Sequence, residues 1–233
     1  DFPQFITSAR ILPIKGFNVS MPYKVDILPY LDELTPEAKL CHAVNTVKNI
    51  NGKLIGHISD GIGFVKACQE KGWHLFQQKV VILGAGGACR AIVVALAQYV
   101  SEIVIYNRSQ KDWVQELNQQ LKCPITLKSL SDLESLKKDL QESYLLIQTT
   151  NVGMAPDEDE CLIKDDTYLP EHLKVADIIY HPQQTKLLKM AQKRGLDFMN
   201  GEGMILYQGA ESFKFWTNQE MPIEQVKKSL KME

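Results

Sequence analysis

Lys24 and Asp60 are ionisable residues set where the chain changes direction. Lys24 follows Asn18-Val-Ser20-Met-Pro22-Tyr23 at the end of a strand-like stretch, and Asp60 stands in His57-Ile-Ser59-Asp60-Gly61 between a hairpin and a helix. Alone, the first reads as a solvated lysine and the second as a helix N-cap. Together they can manage the one proton that must move when a hydride is transferred at a carbon bearing oxygen. Asn45, in Ala43-Val-Asn-Thr46-Val, and Gln208, in Tyr207-Gln208-Gly209, add neutral donors and acceptors beside them.

The hydride side of that chemistry is written into residues 80–109. Val80-Val-Ile-Leu-Gly84-Ala85-Gly86-Gly87-Ala88 is a β-branched run opening into a glycine-rich turn and then a helix-patterned stretch, the context of a dinucleotide-binding fingerprint. Glycines allow the turn to tighten and the backbone to approach a pyrophosphate, which sits on free N–H groups at the helix start. The second strand ends in Asn107-Arg108-Ser109 rather than in the Asp or Glu that binds a free ribose 2′-hydroxyl. An amide and a guanidinium there suit a 2′-phosphate, so the stretch predicts NADP over NAD.

The elements that must position these residues follow from patterning. Thr35-Pro36-Glu37 starts a helix, Asn51-Gly52 joins two strand-like stretches, 43–49 and 53–57, as a hairpin, and a helix is expected over 62–71. Pro22 is expected to open another helix over Tyr23–Leu31. From Lys79 onward, strands at 80–83, 102–106, 125–127, 144–148 and 175–179 alternate with helix-length segments, and 198–200 adds a short sixth strand. This alternation predicts an α/β fold with a Rossmann-type, doubly wound parallel sheet. Residues 1–64 form an α/β substrate domain completed by C-terminal helices within 206–233, and 65–205 form the nucleotide domain.

Composition narrows the partners. The 233 residues are 45% hydrophobic and carry a formal charge of −2, so no basic field for nucleic acid is present. The most apolar stretch, 80–100, is broken by Arg90 and three glycines, which excludes a membrane span there. Five scattered cysteines without a CxxC predict buried or partly buried thiols in a reducing, cytoplasmic compartment, and five dispersed histidines offer no metal-ligand spacing. Trp73, Trp113 and Trp216 are expected to pack, His57 to end a hairpin, and Asp157–Glu160 to form a solvated acidic loop.

The order of these stretches resembles the shikimate dehydrogenase family over the whole chain. Gly16-Phe-Asn-Val-Ser-Met-Pro-Tyr-Lys24, Ala43-Val-Asn45-Thr46, Asp60-Gly61-x-Gly63, the Gly84–Ala88 turn and Asn107-Arg108-Ser109 match its successive blocks. So do Asp177-x-x-Tyr180-x-Pro182, Thr185-x-Leu187-Leu188, Asn200-Gly-Glu-Gly-Met204 and Gln208-Gly-Ala210-Glu-x-Phe213. The resemblance implies reversible reduction of 3-dehydroshikimate to shikimate with NADPH, in aromatic amino-acid biosynthesis, by a monomer or homodimer. It implies Lys24 and Asp60 as the catalytic pair, either of which can transfer the proton. Ser20, Asn45, Tyr180 and Gln208 would bind substrate. Gly84, Ala85, Gly86, Gly87 and Ala88 would cradle the pyrophosphate, and Asn107, Arg108, Ser109 and Lys111 the 2′-phosphate. Thr150, Ile178 and Gly201 would complete the cofactor site, the last two beside the nicotinamide.

Departures from the family pattern are local. Ser20 replaces threonine, Ile58-Ser59 replaces Asn-Thr before the aspartate, and His42 and His181 stand where glycine and asparagine are usual. The family opens with a strand, a Ser-x-Ser loop, a helix and a second strand ahead of the Gly16 block. That unit takes about 30 residues or more, and the 233 residues are expected to be part of a longer chain. The Ser20-Met-Pro wording is also similar to a branch that accepts quinate, sometimes with NAD. A catalytically impaired NADP-binding paralogue is the remaining alternative.

Overall fold

Val80 to Leu83 are buried on both faces, as a central parallel strand requires, and a six-stranded sheet grows around them. The structure, a computed structural model, describes residues 2–232; Asp1 and Glu233, the ends of the expected domain ranges, lie outside the described residues. In chain order the elements are α1 (Phe2–Ile11), β1 (Gly16–Asn18), β2 (Glu33–Leu34), α2 (Pro36–Cys41), β3 (Thr46–Ile50), β4 (Lys53–His57) and α3 (Asp60–Glu70). There follow β5 (Lys79–Leu83), α4 (Gly87–Leu96), β6 (Glu102–Asn107), α5 (Asp112–Gln120), β7 (Ile125–Ser129), α6 (Leu133–Glu142) and β8 (Leu145–Gln148). The last elements are β9 (Lys174–Asp177), α7 (Lys186–Lys193), β10 (Phe198–Met199), α8 (Glu202–Thr217) and α9 (Ile223–Leu230).

Two sheets result. The six-stranded one is parallel throughout, in the order β10-β9-β8-β5-β6-β7. Counted from β5, this is the doubly wound order 3-2-1-4-5-6, whose switch point lies between β5 and β8. The four-stranded sheet runs β1-β3-β4-β2, with β1 and β4 antiparallel to β3 and the two-residue β2 parallel to β4. Asn51 and Gly52, both at positive φ (53° and 90°), close the β3–β4 hairpin as expected.

Helix α3 joins the sheets and lies between two others. A Cβ at Gly61 would run into the Ala91 carbonyl of α4, and one at Gly63 would stand 2.6 Å from the Gln208 nitrogen and 2.7 Å from the Met204 oxygen of α8. Helix α8 also covers the four-stranded sheet: Trp216 Nε1 donates to the Val47 oxygen (2.9 Å), and Phe215 stacks on His57 (4.8 Å between centroids).

The expected helix over 23–31 does not form. Turns run through Ile27 and a single 3-10 turn spans Leu28–Tyr30. Pro29 is the cause: it has no N–H to return to Val25, so an α-helix cannot continue through it. The Lys24 carbonyl, freed from helix bonding, accepts the Val44 N–H (2.8 Å), which docks the lysine's backbone beside Asn45. All five cysteines are buried, as expected, and residues 157–160 are exposed. His57 ends the β3–β4 hairpin, as expected, and is buried there, which pushes its imidazole below the ordinary pKa.

Candidate active site

Strand β4 ends at His57, Ile58-Ser59 turn the chain, and α3 begins on Asp60, which aims its carboxylate back across the end of β3. Lys24 Nζ donates to Asp60 Oδ2 at 2.6 Å, with the two side chains 27% and 13% exposed. Asn45 Nδ2 donates to the other oxygen, Oδ1, at 2.8 Å. The asparagine is itself fixed. Its Oδ1 accepts the Ser59 backbone N–H (3.0 Å) and the Thr46 hydroxyl (3.0 Å), so its NH2 must face Ser59 Oγ (3.0 Å) and Asp60. Ser59 does not cap α3 with its side chain; its hydroxyl lies 3.3 Å from Gln208 Oε1 and 3.2 Å from Ser212 Oγ. Ser212 also meets Thr46 Oγ1 at 2.7 Å. This hydroxyl–amide cluster is buried and internally satisfied, which is the condition under which a polar network rigidifies.

Lys24, Asp60, Asn45 and Gln208 line one cleft of about 730 Å³ with Ser20, Asn18, Met21, Ile178, Tyr180 and Met204. Of the first group, Lys24 follows β1, Asn45 immediately precedes β3, Asp60 opens α3 and Gln208 lies on α8; Ile178 and Tyr180 follow β9 of the six-stranded sheet. All six expected catalytic and substrate residues therefore face a common space. Ser20 and Tyr180 are its open rim, both exposed.

The second group gathers at the switch point. Gly84, at φ +95°, makes the turn that leaves β5, and a Cβ there would stand 2.5 Å from Thr150 Cγ2 after β8. This is what brings Thr150 into the turn's neighbourhood. Gly86 is the N-cap of α4, and a Cβ on Gly86 or Gly87 would meet nothing within 4 Å. Open space over glycines at a helix start, with no side-chain cap on its N–H groups, fits a dinucleotide pyrophosphate. At the end of β6, Asn107 Nδ2 donates to the Ser109 carbonyl (2.8 Å), shaping a loop on which Arg108, Ser109 and Lys111 are exposed. Gly201 packs directly on the Ile178 carbonyl, its N–H donating to the Ile179 oxygen at 3.0 Å. The thirteenth residue of this half, Asp177, had no role in the sequence. It is 1% exposed, accepts the Ile179 N–H (3.0 Å) and the Thr185 hydroxyl (2.7 Å), and so ties the Ile178–Tyr180 loop to the start of α7. Burial raises its carboxyl pKa to about 6.

Thr46, Ser59 and Ser212 also escaped the sequence reading. Only the neighbourhood of Thr46 and Ser59 to Asn45 and Asp60 along the chain could have pointed to them; Ser212 comes 152 residues after Asp60 and carries no such signal. Among the described residues no group of three or more His, Cys, Asp or Glu side chains is gathered as a metal site would require, and no helix is long and apolar enough to cross a membrane.

Known proteins match the chain along its length. Family models match in three stretches: the shikimate dehydrogenase substrate binding domain over residues 1–47, shikimate / quinate 5-dehydrogenase over 66–154, and the shikimate 5′-dehydrogenase C-terminal domain over 201–231. A shikimate dehydrogenase (NADP(+)) of Listeria monocytogenes serotype 4b is 41% identical over 237 residues, covering 99% of this chain and 81% of the relative. One from Streptococcus pyogenes serotype M28 is 44% identical over 232 residues, covering 95% and 80%. The crystal structure of Listeria monocytogenes shikimate 5-dehydrogenase in complex with shikimate and NAD is 39% identical, with a TM-score of 0.94 over 98% of this chain and 82% of that one. The chain belongs to the shikimate dehydrogenase family.

Proposed function

We propose that the protein is an NADP-dependent shikimate dehydrogenase that reversibly reduces 3-dehydroshikimate to shikimate. The observation that carries this reading is the Lys24–Asp60 contact of 2.6 Å, with Asn45 on the second carboxylate oxygen, in a cleft whose opposite wall comes from the nucleotide-binding sheet. NADPH, when bound, supplies the hydride. Lys24 and Asp60 stand across the oxygen that is ketone in one direction and hydroxyl in the other. They give it a proton on reduction and take the proton on oxidation. Asn45 and Gln208 bind the ring hydroxyls from the buried side, and Ser20 and Tyr180 close over the substrate from the rim. An amide–hydroxyl cluster already held by its own hydrogen bonds presents these groups in a fixed orientation before substrate enters.

The same geometry supports the domain reading: residues 1–64 with 206–233 hold substrate, and 65–205 hold NADP. Gly84 to Ala88 and Thr150 receive the pyrophosphate, Asn107, Arg108, Ser109 and Lys111 the 2′-phosphate, and Ile178 and Gly201 the nicotinamide.

The test is turnover. The protein is given shikimate and NADP⁺, and the reduced nicotinamide is followed by its absorbance, with quinate and NAD⁺ as parallel arms. Absence of turnover in every combination overturns the reading. Lys24→Ala is expected to lower kcat by about 10²–10⁴ while NADP⁺ affinity stays unchanged, the scale of a lost proton-transfer group; retained turnover removes Lys24 from the mechanism.

A further inference from the structure

Each polar backbone group of the glycine-rich turn has to be held by something, since an unpaired one is costly and an unfixed one does not preorganise a ligand site. The Gly84 N–H is held by the sheet, donating to the Tyr106 oxygen at 2.8 Å. The Gly84 carbonyl faces Thr149 Oγ1 at 3.4 Å, and the Gly86 carbonyl accepts the Arg90 N–H at 3.0 Å in the first turn of α4. The Ala85 carbonyl falls between sheet and helix. The bond it makes is to Trp113, whose Nε1 donates to it from α5 at 3.3 Å.

Trp113 is in turn held from its other side. The Arg90 guanidinium lies 5.8 Å from the indole centroid, within cation–π range, and 3.6 Å from the Glu116 carboxylate one turn along α5. Arg90 Nε donates to the Leu40 carbonyl at 3.1 Å, at the end of α2 beside the four-stranded sheet. The side chains of Arg90 and Trp113 thus run from the substrate half, across α4, to the turn that opens it.

We propose that Trp113 is a positioning residue for the cofactor: its indole N–H sets the Ala85–Gly86 peptide so that the Gly86 N–H faces the pyrophosphate. The peptide is planar and trans, so C=O and N–H point in opposite directions. Anchoring the Ala85 oxygen on Trp113 therefore turns the Gly86 N–H away from the indole, and the space beside the Gly86 and Gly87 Cα atoms is open. Trp113 is a packing residue in that its ring is half-buried, but packing alone does not require an indole N–H aimed at the turn. The inference rests on the NADP reading above.

The experiment is calorimetric titration of NADP⁺ into the wild type and Trp113→Phe, which keeps an aromatic ring and removes the N–H. The expected result is a Kd about three- to tenfold higher, the scale of one neutral hydrogen bond. At saturating NADP⁺, kcat and the shikimate KM stay within about twofold. A lower melting temperature with unchanged Kd assigns Trp113 a structural role and overturns the inference. A wild type that binds no NADP⁺ overturns the functional reading, and the inference falls with it; a wild type that binds while Trp113→Phe binds equally well overturns the inference alone. If Trp113→Phe does not fold, the indole N–H signals of the ¹⁵N-labelled wild type are followed during NADP⁺ titration. A signal that moves with the binding isotherm supports the inference, and three unmoved signals overturn it.

Discussion

At the scale of residues, the site holds two buried or half-buried carboxylates under opposite regimes. Asp60 faces the cleft and is spoken for at both oxygens, by Lys24 and Asn45. Asp177 lies behind the cleft with a hydroxyl and a backbone N–H as partners and no cation among them, and burial lifts its pKa from 3.8 to about 6. A carboxyl whose folded pKa is raised binds its proton more tightly in the folded state. Its neutral form therefore adds stability below the unfolded value, near pH 4, and that stability is lost as pH rises through about 6. The full difference is up to about 3 kcal/mol. Asp177→Asn removes this dependence: the unfolding free energy of wild type is expected to decline relative to the variant between about pH 4 and pH 7. Chemical denaturation at the two pH values measures it, and parallel curves for the two proteins would place the titration elsewhere. The motif Asp177-x-x-Tyr180 was visible in the sequence, but not this role, because burial depends on α7 and β9 closing over one side chain.

At the scale of elements, α3 carries the site because it can approach two helices at once. Gly61 and Gly63 sit either side of it, the first against the Ala91 carbonyl of α4 and the second against the α8 backbone at Gln208. The Asp60-Gly-x-Gly pattern is therefore a packing requirement attached to the residue proposed to act in catalysis. Gly61→Ala forces α3 off α4 and is expected to cost about 1–3 kcal/mol, as overpacking does, or several degrees of melting temperature. It should also lower kcat, because Asp60 is the preceding residue; unchanged stability and kcat would show that α3 has room. Strands β5 to β9 were legible from the sequence, since runs such as Val80–Leu83 and Leu145–Gln148, buried on both faces, leave little alternative to a parallel sheet. The Lys24 segment carries a helix-start proline at its head, but Pro29 near its end prevents the helix, and β2 is too short to leave a period. The hydroxyl network escaped for a different reason. Ser59 has the sequence of an N-cap, but its hydroxyl is drawn away by Asn45 and by Gln208 and Ser212 of a helix late in the chain.

At the scale of the whole molecule, the two sheets contribute opposite walls of one cleft, and in the proposed function the charge beyond β6 selects the cofactor. The chain has a formal charge of −2, so nothing in its overall field favours an anion as large as NADP. The preference must be local. Arg108 and Lys111 are exposed beyond β6 and enter no ion pair among the described residues, while most neighbouring cations, such as Arg90 and Lys128, face a carboxylate. A guanidinium and an ammonium flanking Ser109 can each make charge-assisted bonds to a 2′-phosphate, whereas a 2′-hydroxyl offers them only a neutral acceptor. Hydrogen bonds to a charged group contribute about 1.5–3 kcal/mol each, with exposed positions at the low end. Arg108→Ala with Lys111→Ala is therefore expected to weaken NADP⁺ binding by about 10- to 100-fold and to leave NAD⁺ within about twofold. Calorimetric titration of both cofactors checks this, and added salt should narrow the NADP⁺ difference, because exposed charges are screened over about 8–10 Å. Equal losses for the two cofactors would mean that Arg108 and Lys111 hold the β6–α5 loop rather than a phosphate, and the origin of the NADP preference would then have to be sought in Asn107 and Ser109.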